Sequence, residues 1–328
     1  MHSRIIFTLF SIALTAVVAA THAQVTPTGS NKPTRLIVPY PPGGPLDTVA
    51  RALGEKVKDV IGTVIIENRP GAGGNIGADV AAKAAPDGAT LLMGAVATHA
   101  INPWLYTKIP YDALRDFTPI TLVAVIPNVL VINTDTAAQL NINSVQDLIN
   151  YTRKNPGKLN YGSGGNGSAG HLAGEMFKAQ AKVSMVHIPY TGGPAAQMGL
   201  LAGDVQVNFD NIASAAANIR AGKVKALAVT TPMRARTMPE LPTVAETLPG
   251  FDIATWFGIF APAKLSAENT SKLNKAFVEA LNSAEIRERL SKLMAEPAPN
   301  TPAQFADFVR AENAKYERVV KATGAKVD

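Results

Sequence analysis

Cysteine is absent from this chain of 328 residues. Disulfides, thiolate metal sites, cysteine nucleophiles and a lipid anchor on an N-terminal cysteine are therefore excluded. A basic block is missing too. Lys and Arg number 31 against 25 Asp and Glu, for a net charge of +6, and the two signs are interleaved along the sequence. Nucleic acid recognition usually needs a concentrated patch with aromatic or motif support, so none is expected. A mild positive balance does suit an anionic ligand through weak long-range attraction. Histidine is scarce. Beyond residue 23 only His99, His171 and His187 remain, none at metal-ligand spacing to another, and neither a metal nor another cofactor is expected. Charges or prolines interrupt every apolar run after the first, so no later transmembrane segment is expected.

What is present begins with an export layout. Arg4 precedes an uncharged, almost wholly apolar run over 5–20, and Thr21-His22-Ala23 places small residues at the usual cleavage positions. The pattern predicts a signal peptide over 1–23, a cut near Ala23 and a mature chain starting near Gln24. An uncleaved anchor is the alternative, but the run of 16 residues falls short of the roughly 20 that a spanning helix needs.

The rest alternates short apolar runs with helical patterns. Strands are predicted over 35–40, 63–67, 90–93, 159–161, 186–190, 205–209 and 226–229. Helices are predicted over 46–60, 75–85, 145–154, 171–180, 195–201 and 213–221. Strands separated by helices imply βαβ units and a largely parallel sheet. The β-type run over 120–133, broken by Pro127, reads as a crossing from one domain to another, and the apolar run over 253–260 as the return. Near the C-terminus, Thr301 and Gln304 form a capping box with Pro302 at the first helical position, and Gly324 is the stop. Phe305, Phe308, Val309, Tyr316, Val319 and Val320 form its apolar stripe, with Glu312 as the polar break. The fold class is α/β with two lobes, a cleft between them and two crossing segments. Lobe 1 is expected over 24–125 plus 256–328 and lobe 2 over 126–255. A cleft between lobes is a favoured ligand site.

Three glycine-rich loops each run from a strand into a helix: Tyr40-Pro41-Pro42-Gly43-Gly44-Pro45-Leu46-Asp47, Tyr161 to Ser168 continuing to His171, and Tyr190-Thr191-Gly192-Gly193-Pro194. Each puts backbone N–H groups and the positive end of a helix dipole at the carboxyl end of a strand, an arrangement that receives anions. Ser163, Ser168, Tyr190 and Thr191 add neutral hydroxyls. Plain strand-to-helix turns also need glycine and a cap, so Asp47 and Ser168 have capping as an alternative role. A fourth loop, Gly71-Ala72-Gly73-Gly74-Asn75-Ile76-Gly77, has the spacing G-x-G-x-x-x-G rather than that of the dinucleotide fingerprint and reads as a tight structural turn. No G-x-S-x-G or Walker loop is present. Ser168 and His171, at i and i+3, could form a nucleophile pair, although capping or a ligand contact suits them better. Asp210 has three open roles: ligand contact, loop orientation or helix cap. Trp104 and Trp256 read as core or hinge residues.

In this order the loops resemble the substrate-binding receptors of tripartite tricarboxylate transporters, the Bug-type receptors. The matching segments are Val38 to Gly44 with Asp47, Glu67 to Gly74, Pro86-Asp87-Gly88, Thr98 with Asn102-Pro103, Tyr161-Gly162-Ser163 with Gly167-Ser168 and His171, Pro189-Tyr190 with Gly192, Gly203-Asp204-Val205 with Phe209-Asp210, and Leu241 to Glu246. The resemblance implies a monomeric periplasmic binding protein, not an enzyme, that closes on a small carboxylate and delivers it to a membrane permease. The implied contacts are Tyr40, Gly43, Gly44, Asp47, Ala95, Ala97 and Thr98 in the first lobe. In the second they are Gly165, Asn166, Ser168, His171, Tyr190, Thr191, Gly192 and Asp210. Ala95 and Ala97 stand where many relatives carry Thr or Ser, and Gly, which points to a ligand with a less polar body. A carboxylate sensor docking on a signalling partner and a Ser/His hydrolase are the alternatives.

Overall fold

The structure, a computed structural model, describes residues 33–327; the expected signal peptide and its cleavage site lie outside them. Among the described residues, no helix is long and apolar enough to cross a membrane. The strands are β1 Thr34–Val38, β2 Val64–Asn68, β3 Thr90–Ala95, β4 Phe117–Asn133, β5 Asn160–Ser163, β6 Val186–Pro189, β7 Val207–Asn211, β8 Val224–Val229, β9 Ala254–Pro262 and β10 Glu296–Pro297. They lie in the order β2-β1-β3-β9-β4-β7-β5-β6, with β8 and β10 also paired to β4.

Both flanks are parallel, as the alternation of strands and helices predicts: β1 pairs with β2 and β3, and β5 with β6 and β7. The centre is not. The strand β9 is antiparallel to β3 and β4, and β4 is antiparallel to β7 and β8. The apolar composition of β4 and β9 signals burial on both faces but carries no direction. Side chains alternate between the two faces as the pleat requires. Leu92, Leu130, Ile132, Trp256 and Phe260 join one core layer, while Leu91, Met93, Val129, Val131, Phe257 and Ile259 join the layer on the opposite face.

The two crossings are joined to each other. Pro127 does not break β4. The strand stays paired with β9 up to Pro127, opposite Ala254, and from Asn128 onward pairs with β7 and β8. The proline thus falls where the partner strand ends, so its missing N–H removes little from the ladder. At this switch the Asn128 Oδ1 accepts from Thr255 Oγ1 at 2.8 Å, and the Asn128 carbonyl accepts from the Thr230 N–H at 2.9 Å. Two lobes result, sharing one strand.

The final helix, Pro302–Thr323, has the capping box and left-handed Gly324 stop that its sequence announces; such a cap contributes about 1 kcal/mol. The polar break in its stripe is explained by Trp256, whose Nε1 donates to Glu312 Oε2 at 2.9 Å. Trp256 is buried in β9 against Phe305 and Phe308, whereas Trp104 is partly exposed and donates to Asn313. Helices Thr134–Leu140, Ala267–Asn282 and Ala284–Lys292 were not anticipated. The latter two pack on helix Pro45–Ile61.

Candidate functional site

In the first lobe the loop after β1 leads into helix Pro45–Ile61, which has no side-chain cap. Gly43 takes a positive φ of 85°, and its N–H donates to Asp47 Oδ2 at 2.9 Å. Asp47 is buried and also accepts from Arg51 Nε (3.0 Å) and Nη2 (2.9 Å) and from Asn68 Nδ2 (3.0 Å). These donors outweigh burial and hold its carboxyl below the usual range. With four protein donors, Asp47 fixes the loop. Gly44 caps the helix through its carbonyl, which accepts from the Thr48 N–H at 3.0 Å.

Behind this loop Thr98 is fully buried. Its hydroxyl lies 3.1 Å from both the N–H and the carbonyl of Ala95 and 2.8 Å from His99 Nδ1. It therefore braces the turn containing Ala97, and Ala95 and Ala97 are both buried. Burial brings His99 down to about 3, and its ring stacks on Phe260 at 3.8 Å.

The fourth glycine loop proves to be part of the same region. A β-carbon on Gly74 would lie 2.9 Å from Thr98 Cγ2 and 3.1 Å from Tyr40 Oη. One on Gly73 would lie 3.0 Å from the carbonyl oxygen of Asn166, in the second lobe. Asn102, fully buried, donates through Nδ2 to the Gly73 carbonyl (3.0 Å) and to Asn75 Oδ1 (2.7 Å). Its Oδ1 has no partner and faces Gly167. The two lobes meet here, loop against loop.

In the second lobe Ser168 caps helix Ala169–Ala181, accepting from the His171 N–H at 3.1 Å. His171 Nδ1 accepts from the Gly167 N–H at 3.3 Å. Ser168 and His171 are thus joined through backbone, not as nucleophile and base. The serine hydroxyl that does meet an imidazole is Ser163, 2.7 Å from His187 Nε2. Tyr190 lies back along helix Gly193–Ala202, its hydroxyl against Gly199, and burial raises that hydroxyl above its usual value. Thr191 is exposed. Helices Gly193–Ala202, which follows Gly192, and Ile212–Arg220 have no side-chain cap. Their first-turn N–H groups, like those of Pro45–Ile61, lack partners within the helix. Among the described residues no three His, Cys, Asp or Glu are grouped to hold a metal ion.

Asp210 lies inside β7 rather than beyond its end. Its Oδ2 accepts from Gln197 Nε2 at 3.0 Å and its Oδ1 from the Asn211 N–H at 2.7 Å. Burial outweighs both bonds and pushes its carboxyl up to about 7. The protonated folded state is favoured, so this contribution is complete below the unfolded carboxyl range near ~3.9 and is lost as pH rises through about 7. Asp210→Asn, isosteric and uncharged, is expected to raise the melting temperature by a few degrees at pH 8 and by clearly less at pH 5, where the folded carboxyl is protonated and only the unfolded one is ionised. Equal shifts at the two pH values would refute a buried charge.

Sequence reasoning found the loops and their glycines but missed Asn102 and His187 as members of the region. Asn102 was legible only as part of a motif, and His187 only as a lone histidine.

Comparison with known proteins agrees with this geometry. An R. palustris protein solved with adipate is 35% identical with a TM-score of 0.84, covering 92% of this chain and 99% of that one. MatC from Rhodopseudomonas palustris, solved with bound malate, is 33% identical with a TM-score of 0.81, covering 88% and 98%. Protein BugT of Bordetella pertussis is 35% identical over 96% of each chain. Residues 49–325 match the model of the tripartite tricarboxylate transporter family receptor. With the family model matched over most of the described chain and relatives of 33–35% identity covering nearly all of each partner, the protein belongs to the tripartite tricarboxylate transporter receptor family.

Proposed function

We propose that this chain is exported, cut near Ala23, and works in the periplasm as a monomeric solute-binding protein that captures a small organic carboxylate and hands it to a membrane permease. The lobes would be 24–125 with 256–328, and 126–255. The observation that carries this reading is the set of helix starts without a side-chain cap, Pro45–Ile61 and Asn75–Ala82 in the first lobe and Gly193–Ala202 and Ile212–Arg220 in the second, following strands around loops that meet at Gly73 and Asn166. Helix N-termini hold a carboxylate by dipole and N–H groups without a basic side chain; Arg51, the cation named above, is paired with Asp47, and burial keeps the histidines neutral. The relatives solved with adipate and malate support the ligand class. Ala95 and Ala97 favour a ligand with an apolar body. Capture without turnover fits Ser168 and His171, whose side chains are engaged with backbone. Closure would be a population shift toward the ligand-bound arrangement, which the permease would recognise.

A thermal-shift panel of monocarboxylates, dicarboxylates, citrate and aromatic acids tests this directly. A true ligand at 100 times its dissociation constant stabilises by about 2.7 kcal/mol, a shift of several degrees. Silence across the panel at millimolar concentration would refute the reading.

A further inference from the structure

Beneath the second-lobe loop lies a column of three rings. Tyr161 stacks on His187 with centroids 4.8 Å apart, and His187 stacks on His171 at 4.3 Å with the planes 15° apart. Each imidazole reaches one end of the segment Gly165-Asn166-Gly167. His187 does so through Ser163, whose fully buried hydroxyl lies 2.7 Å from His187 Nε2 and 3.2 Å from both the N–H and the carbonyl of Gly165. His171 does so directly, its Nδ1 accepting from the Gly167 N–H. Between these ties stands Asn166, whose carbonyl faces Gly73 of the other lobe.

We propose that the stacked pair His187 and His171 are positioning residues that preorganise the ligand loop, fixing Gly165 and Gly167 before a carboxylate arrives. This rests on the reading above that the loop receives the ligand. A ring nitrogen accepts a hydrogen bond only while unprotonated. Burial, the largest influence, keeps His187 at about 3 and His171 at about 4; the charged neighbours are Glu175 and Lys178 on the helix of His171, with neutral Tyr161 facing from β5. Both rings are thus neutral throughout the ordinary pH range. A loop held in its bound conformation loses less entropy on binding, which is the general source of affinity in preorganised sites. Phenyl rings would fill the same column but offer no acceptor, and that difference separates positioning from packing.

The test uses His187→Phe and His171→Phe, which keep the stack and remove the ring nitrogens, and His187→Gln, which keeps a polar group for Ser163 without a ring. Amide hydrogen exchange is followed on the ligand-free protein, and adipate affinity by calorimetry. One lost hydrogen bond, net about 1 kcal/mol, is a factor of about five. Exchange at Gly165 is expected to quicken about fivefold in His187→Phe and to return toward the parent rate in His187→Gln. Gly167 should respond in His171→Phe, and adipate affinity should fall by a similar factor in both Phe variants. Parent exchange rates in both Phe variants, or a Gln variant worse than the Phe variant, would overturn the proposal. Should a ring substitution fail to fold, Ser163→Ala cuts the Gly165 tie without touching the column, and unchanged Gly165 exchange there is equally fatal. Because exchange is read without ligand, a parent protein that ignores adipate counts against that ligand assignment, while the exchange comparison still decides the role of the histidines.

Discussion

Gly167→Ala is expected to lower carboxylate affinity about 10- to 100-fold while leaving the fold intact. Gly167 takes φ +78°, and an alanine in that conformation costs roughly 1–2 kcal/mol. That strain is present with the lobes together or apart, so it falls on stability and not on affinity. The new methyl, however, would overlap Asn102 Oδ1 across the cleft and lie 3.5 Å from Leu105 Cδ2. Asn102 cannot easily yield, because its Nδ2 is held by the Gly73 carbonyl and Asn75 Oδ1. Overpacking of this kind costs about 1–3 kcal/mol, and only the arrangement with the loops in contact bears it. Calorimetric titration with the best anion of the panel gives the answer. Parent affinity in the variant would show that these loops do not meet in the bound form, and removing the obstruction with Asn102→Ala should restore part of the loss.

Gly170→Ala should have the largest effect on stability, about 3 kcal/mol or more. Alanine ordinarily improves a helix by roughly 1 kcal/mol over glycine. Here the added methyl would overlap the carbonyl oxygen of Phe209 and lie 3.1 Å from its carbonyl carbon. These are backbone atoms of β7, and no rotamer change relieves the overlap. The helix must lift from the strand, unseating Ser163, whose Cβ lies 3.4 Å from the same point. At roughly 2–4 °C per kcal/mol for chains of this order, the melting temperature should drop by about 6 °C or more. A variant melting with the parent would show that the helix sits farther from β7 than described.

The sequence was most legible where the signal is local. The strand-to-helix glycines, the capping box at Thr301 and Gln304 and the parallel pairs on both flanks follow from propensity and periodicity over a few residues. It was least legible where a group's fate depends on residues far along the chain. The hydroxyls of Thr98 and Ser163 look free in the sequence, yet each meets backbone and a histidine, and Ser168 Oγ accepts from the His171 N–H. Asp47 looks like a simple capping acid until Arg51 and Asn68 close around it. The loop at Gly71 has the sequence of a structural turn. It is one, and it also carries the contact between lobes, which depends on Asn166 more than 90 residues away. The antiparallel centre escaped for a related reason: an apolar strand buried on both faces has the same composition whichever way it runs.

The strand β4 belongs to both halves of the sheet, and its cross-links through Asn128 bind the outgoing and returning chain at one point. Cutting the molecule there would leave each half with a bare strand edge and a severed core layer. Neither half is therefore a module that recombination could exchange for another. A change of ligand on such a frame is expected to come from substitutions in the loops, with the frame kept whole.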